Sequence, residues 1–210
     1  MIGVFLYYAR AVDCTILCAF GSLASQQVTP TQEIMKKVKR FRDYAASNPY
    51  AVVTYNAINV VLAVHSNALY LSETKSRSRA GGGLFCSANE IYPANNGAVL
   101  KVSQIIKAVM SSAAEAELGA LYINARESVP LRHLLEDMVH PQPPTPIQLD
   151  NTTALRVFKH KIQPKRTKSL DMRFHWLRCK KNKKQFRTYW REGKTNYADS
   201  TTKHHTTINH

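Results

Sequence analysis

One stretch constrains the fold more than any other: Val60-Val61-Leu62-Ala63-Val64, running on through His65-Ser66-Asn67-Ala68-Leu69-Tyr70-Leu71. Its first half is an unbroken β-branched and apolar run, the pattern of a strand covered on both faces. From His65 onward polar and apolar residues alternate, the pattern of a strand with one buried face. A strand of this kind needs neighbours on both sides, so the chain requires a sheet with this segment at its centre. With 210 residues, 44% of them hydrophobic, there is enough apolar surface for one ordinary domain plus an accessory segment.

The neighbours are legible on either side. Ser47-Asn48-Pro49 closes the preceding helical region, because Pro49 disfavours a helical Asn48. Val52-Val53-Thr54-Tyr55 reads as a short strand. After the central strand, Glu73-Thr74-Lys75-Ser76 is a polar hairpin connection, and Gly81-Gly82-Gly83-Leu84-Phe85-Cys86 is a second strand with room for close backbone approach. Pro93-Ala94-Asn95-Asn96-Gly97 signals a turn before a third strand at Ala98-Val99-Leu100-Lys101-Val102. Ile147-Gln148-Leu149-Asp150 and Gln185 to Trp190 supply two more.

Between the strands lie helices. Ile106, Met110, Ala113, Glu117 and Ala120 recur at steps of four and three, so a long helix is expected from Ser103 or Ser112 to Ile123, continuing through Arg126 to Met138 with a candidate break at Pro130. Glu117 falls inside the apolar stripe and Glu115 outside it. A carboxylate in that stripe must be protonated, paired with a cation or bound to a metal; a salt-bridged core glutamate is the simplest of these. Pro141 to Pro146 is an extended linker. Asp150 ends its strand just where Asn151-Thr152-Thr153-Ala154 begins a helix, so it is either a helix cap or a ligand-binding residue at the carboxyl end of a strand. Asn196-Tyr197-Ala198-Asp199 opens a final helix with Asp199 as a first-turn acid.

Charge narrows the partners. The formal net charge is +15, which favours an anionic partner, nucleic acid first. Lys159 to Lys194 is the densest basic region, with Lys165-Arg166-Thr167-Lys168 and Lys180 to Lys184 around a helix from Ser169 to Cys179. Phe174, His175, Trp176, Phe186, Tyr189 and Trp190 are interleaved with those charges, either as buried aromatics under a basic surface or as base-stacking platforms. Residues 3–46 read as helical, with a helix start at Thr29 to Glu33. Lys36, Lys37, Lys39, Arg40 and Arg42 then form a basic helix side that suits solvent and phosphate equally. Cys14, Cys18, Cys86 and Cys179 form no CxxC pair, and free thiols in a reducing compartment are expected. His204, His205 and His210 lie in a polar tail without zinc-site spacing. The apolar start, Met1 to Tyr8, is interrupted by Arg10 and Asp13 before it can span a bilayer or form a signal sequence. An intracellular protein of cytoplasm or nucleus, not secreted and not in a membrane, is expected. The start has no polar lead-in, as if the chain were part of a longer protein.

Taken in order, four segments resemble the ribonuclease H domain of copia-type retrotransposon polyproteins. They are Ser111-Ser112-Ala113-Ala114-Glu115-Ala116-Glu117-Leu118, Leu149-Asp150-Asn151-Thr152-Thr153-Ala154, Arg166 to His175, and Asn196-Tyr197-Ala198-Asp199-Ser200-Thr201-Thr202-Lys203. The resemblance covers Val52 to His205. Residues 2–50 are similar, more loosely, to the end of the reverse transcriptase in the same polyproteins. Gly3, Phe5, Tyr7, Arg10 and Asp13 match G-x-L-x-Y followed by R-P-D, with Phe5 for the leucine and Ala11-Val12 for the proline. The polymerase's paired aspartates are absent, so DNA synthesis is not expected. The implied organisation is a helical segment at 1–50, a ribonuclease H-like domain at 51–205 and a polar tail at 206–210. The implied fold is α/β, a mixed five-stranded sheet flanked by helices, three antiparallel strands first and then two parallel ones.

The resemblance also implies a chemistry. In the family four carboxylates hold two divalent metals, which activate a water and stabilise the departing 3′ oxygen as the RNA strand of an RNA–DNA hybrid is cut. Glu117, Asp150 and Asp199 match three of the four, and Mg²⁺ suits such hard oxygen donors. The basic residues Lys165, Arg166, Lys168 and Arg173 would grip phosphates, while the 2′-OH and hybrid shape select the RNA strand. The fourth position, on the central strand, is Asn67 instead of aspartate. Asparagine lacks the charge and offers an NH₂ where the second metal binds. Glu73 lies about 20 Å further along at ~3.3 Å per residue and is a poor substitute. Two readings follow: an impaired Mg²⁺-dependent ribonuclease H, or a catalytically inactive copy that still binds nucleic acid, on its own or within the rest of a polyprotein. No histidine lies between Trp190 and Tyr197 to shuttle a proton, and His65 and His175 carry no assigned role.

Overall fold

The central run becomes β1, Val61–Glu73, in a computed structural model that describes residues 2–159 and 171–203. It pairs antiparallel with β2 (Arg77–Ser87) and parallel with β4 (Thr145–Leu149). Strand β3 (Ala98–Ile105) lies outside β2 and β5 (Phe186–Trp190) outside β4, giving the order β3-β2-β1-β4-β5. Residues Val61 to Asn67 are all buried. The unbroken apolar start of the run is therefore that of a strand in the middle of the sheet with both faces covered.

The two faces differ in chemistry. Leu62, Val64, Ala80, Leu84, Leu100, Val102, Ile147 and Leu149 pack against Leu118, Leu121 and Ala125 of helix α4, Ala113–Asp137. This apolar layer is the main core, extended by Phe158 of α5 (Thr152–Lys159) and Leu177 of α6 (Asp171–Asn182). On the opposite face the register aligns Asn67, Gly81 and Ser103 in one row and His65, Gly83 and Lys101 in the next. That polar, glycine-rich face is covered from two directions. One cover is the segment from Gly193 to Thr202, which contains two short 3-10 turns, Gly193–Thr195 and Asp199–Thr201. The other is the N-terminal group of α1 (Ile2–Ala11), α2 (Leu17–Ser25) and α3 (Gln32–Ser47). Thr31 caps α3 by accepting a hydrogen bond from the Ile34 amide.

Four local expectations are corrected. Val52 to Tyr55 forms no strand; it runs irregular and exposed, tethered by Tyr55 Oη donating to the Ala98 carbonyl and by Asn96 Oδ1 accepting from the Asn56 amide. Of the two expected starts the long helix takes the later, beginning at Ala113 with Ser112 as its cap, but it passes through Pro130 unbroken, that residue being exposed. Ile106 and Met110 lie outside it, yet both are buried where Gly119 leaves room, Met110 Cε coming within 3.2 Å of where a Cβ would stand. The helical stripe thus continues in space through a folded-back loop. Glu115 also differs: it is buried, accepting from the Ser111 amide and hydroxyl at the helix start. Finally, Asp199 opens a single 3-10 turn among the described residues, because side-chain bonds to the sheet replace helical ones there. No helix among the described residues is long and apolar enough to cross a membrane. The four cysteines are free thiols.

Candidate functional site

The site forms where β1 leaves the core. Asn67 is 5% exposed, and its neighbour across the ladder is Gly81. A Cβ on Gly81 would come within 2.7 Å of the Ala198 carbonyl and closer still to Thr201 and Thr202. The bare backbone at that point is what lets the Asp199 turn settle beside Asn67. Further bonds fasten the turn: His65 Nδ1 accepts from the Tyr197 amide at 3.0 Å, Asn196 Nδ2 donates to the Ser66 carbonyl, and Ser103 Oγ donates to the Thr201 carbonyl at 2.7 Å.

Asn67 Nδ2 donates to Asp199 Oδ1 at 2.9 Å and to Thr202 Oγ1 at 3.3 Å. An ionised carboxylate only accepts, so its neighbour fixes the amide orientation: the NH₂, not the carbonyl oxygen, faces Asp199. Lys203 completes the arrangement, its Nζ 2.7 Å from Asp199 Oδ1 and 3.0 Å from Oδ2. Both oxygens of Asp199 are thus engaged by donors from within the chain.

Glu117 reaches the same place from α4. Its Oε1 accepts from the Ala68 amide at 3.0 Å, while Oε2 is buried without a partner. Burial first, then the charge of Asp150, pushes this carboxyl up to about 8, with Asp199 adding to the rise and the Ala68 amide opposing it. Asp150 stands at the end of β4. It is not the cap of α5, because Asn151 Oδ1 accepts from the Thr153 and Ala154 amides. Its carboxyl is raised by burial; its own backbone amide and Lys203 oppose the rise and Asp199 adds to it. Gly193 closes over Asp150, with Oδ2 3.3 Å from where a Cβ would lie. The three acids are therefore gathered within range of one another's charge.

Whether this set fits two divalent ions is decided by its donors. Where the resemblance implies a bridging carboxylate, Asn67 turns an NH₂ toward Asp199; Asp199 is engaged by Asn67 and Lys203, and Glu117 Oε2 is buried without a partner. Among the described residues no group of three His, Cys, Asp or Glu is arranged to hold a metal ion. The residues present do not fit a two-metal centre.

Other candidates lie elsewhere. Glu73 is turned away by a bulge at Leu71 (φ 53°) and pairs with Arg79 at 2.6 Å. His65 is fully buried between the Phe85 and Tyr197 rings, and burial, with Lys101 and Arg191, lowers it to about 3. It is a neutral structural link rather than a proton shuttle. Arg173 lies over the Tyr122 ring at 5.6 Å. Lys165, Arg166, Lys168 and the three tail histidines lie outside the described residues. Lys203 carries no role in the sequence resemblance, although its spacing of four from Asp199 is the ion-pair signal of a helical turn. Arg79 and Ser103 carried no signal, because Arg79 follows the polar run Arg77-Ser78 and Ser103 neighbours Gln104, as surface residues of a strand would.

The burial of Glu117 and His65 gives a pH dependence. Glu117 has a folded pKa above its ordinary 4.5, so the folded chain holds a proton that the unfolded chain releases, and stability falls as pH rises from 4.5 to about 8. His65 has a folded pKa below its ordinary 6.5, so its contribution rises with pH up to 6.5. The two oppose each other in acid, and Glu117 alone acts above 6.5. Urea unfolding of the metal-free chain is expected to show stability falling between pH 6.5 and 8, by on the order of 1–2 kcal/mol. Glu117→Gln should flatten that slope.

With three antiparallel strands, two parallel ones and α4 across the central pair, the fold is ribonuclease H-like. It resembles LC11-RNase H1, isolated from compost, with a TM-score of 0.51 and 14% identity over 69% of this chain and 93% of that one. The N-terminal RNase H domain of a Mycobacterium tuberculosis protein gives a TM-score of 0.47 at 15% identity, over 68% of this chain and 91% of that one. In sequence, the chain is 24% identical over 177 residues to the Retrovirus-related Pol polyprotein from transposon TNT 1-94 of Nicotiana tabacum. That match covers 84% of this chain and 13% of the relative's length. No family model matches the chain. Fold and sequence together make it a ribonuclease H-like domain similar to part of a retrotransposon polyprotein.

Proposed function

We propose that the chain is a nucleic-acid-binding ribonuclease H-like domain of a copia-type polyprotein that grips RNA–DNA hybrids and is disabled for Mg²⁺-dependent cutting of the RNA strand. One observation carries the second half of this reading: the Asn67 NH₂ donates to Asp199 where the family's bridging carboxylate would accept a metal. The binding half is supported by charge. On α6, Arg178 lies over Phe174, Lys180 over Trp176 and Lys181 over Phe158, so a basic layer covers aromatics that are themselves largely buried. Such a layer contacts phosphates rather than stacking bases. Trp190 is the exception, 44% exposed beside Asp150, whose carbonyl accepts its indole N–H.

Binding to a fluorescently labelled hybrid is expected to weaken roughly a hundredfold between 50 and 200 mM salt. An affinity insensitive to salt would remove the basic layer as the contact surface. A working but weakened hydrolase is the second reading, favoured by the unpartnered Glu117 Oε2. Cleavage of the hybrid's RNA by the native chain with Mg²⁺ would establish it in place of the first.

A further inference from the structure

The second face of the sheet holds a buried arginine that the site does not use. Arg79, on β2, is 1% exposed. Its Nε donates to Glu73 Oε1 at 2.6 Å and its Nη1 to Ser103 Oγ at 3.0 Å, while Nη2 is buried without a partner. The cover over this guanidinium is α2. The backbone of Gly21 passes so close that a Cβ there would stand 3.2 Å from Arg79 Nη1. One turn earlier, Cys18 is 1% exposed, and its Sγ–H donates to the Thr202 carbonyl at 3.5 Å. Ser103 in turn donates to the Thr201 carbonyl.

The Cys18 bond and the Gly21 contact each start from α2, and both lead to the turn carrying Asp199. We propose that α1 and α2 are a third layer of the ribonuclease H-like domain and that Arg79 is a positioning residue, pinning that layer and the Asp199 turn to the sheet together. The division between a segment at 1–50 and a domain from 51 then falls in the wrong place. Ala9, Ile16 and Leu17 form their own small core beside the sheet, and Cys18 and Phe20 are buried with them. Helix α3 by contrast buries no residue completely and rests on this layer through Phe41, whose ring lies 5.2 Å from Phe5 and 6.0 Å from Phe20. Burying a charged guanidinium under α2 is costly, and it is offset only while Glu73 and Ser103 both hold it. A shift of α2 therefore reaches Asp199 along two routes: directly from Cys18 to Thr202, and through Arg79 and Ser103 to Thr201. This inference does not depend on whether the domain binds hybrids.

The test uses the full chain without substrate and reads two independent signals. One is the alkylation rate of Cys18 by iodoacetamide, mapped by mass spectrometry against exposed Cys179; the other is amide hydrogen exchange in residues 199–203. In the native chain Cys18 should react on the order of a hundredfold more slowly than Cys179. Arg79→Met should speed both Cys18 alkylation and exchange at 199–203 by roughly tenfold, with β1 amides unchanged. Arg79→Lys keeps the charge beside Glu73 but loses the fork, so it should move both signals in the same direction and less far. Ser103→Ala removes a single hydroxyl and should speed exchange at 199–203. Cys18 labelling that rises while 199–203 stays protected would overturn the proposal, as would a uniform rise that includes β1. If Arg79→Met does not fold, unchanged exchange in Ser103→Ala overturns it alone.

Discussion

Asn67→Asp is expected to make the stability of the chain depend on Mg²⁺, whereas the native chain is expected to melt at the same temperature with and without it. Without metal, the substitution puts a carboxylate where an NH₂ now donates to Asp199 at 2.9 Å. A favourable hydrogen bond becomes a like-charge contact beside Glu117 and Asp150, both already strained toward protonation by burial and by neighbouring acids. Lys203 is half-exposed and offsets only part of this. The metal-free variant should be destabilised by about 2–4 kcal/mol. Millimolar Mg²⁺ should return most of that by binding only the folded state. Thermal unfolding with and without Mg²⁺ measures this directly. A variant whose melting point ignores Mg²⁺ would mean that the remaining acids are not placed to share an ion.

The largest loss of stability is expected from Gly82→Val. Gly82 faces α4, and a Cβ there would fall inside the side-chain amide of Asn124. Asn124 cannot give way cheaply, since its Nδ2 is fully buried and donates to Ser66 Oγ at 3.0 Å and to the Gly81 carbonyl at 2.8 Å. These bonds hold α4, and with it Glu117, against β1 and β2. Overpacking plus the loss of two buried bonds should cost about 3–5 kcal/mol. That is a fall in melting temperature of roughly 10 °C or more for a domain of this size. A variant melting within a degree or two of the native chain would show that α4 does not rest on this contact.

Much of this architecture was legible in the residues. The central strand followed from the change at His65 from continuous to alternating hydrophobicity, and Glu117 stood out because one carboxylate interrupted an apolar helical stripe. The three consecutive glycines at 81–83 signalled close backbone approach, and both Gly81 and Gly82 have it, on opposite faces. Periodicity is local, however, and misled where tertiary contacts took over. Val52 to Tyr55 had strand composition, yet its backbone joins no strand of the sheet. Ile106 and Met110 extended the stripe by folding back rather than by continuing the helix. The Asp199 segment lost its expected helix to bonds from His65, Ser66 and Ser103, partners more than ninety residues distant. Arg79 was invisible for the same reason, its meaning coming from a helix sixty residues earlier and a turn far later.

The measurement that bears most directly on the account is a single-turnover assay on a labelled RNA–DNA hybrid with Mg²⁺, run on the native chain and Asn67→Asp at equal binding saturation. The native chain is expected to bind the hybrid and leave the RNA intact, while the aspartate variant cuts it at least about a hundredfold faster than any background, the equivalent of roughly 2.7 kcal/mol in barrier. Cleavage by the native chain at a rate like the variant's would contradict the claim that Asn67 disables the site.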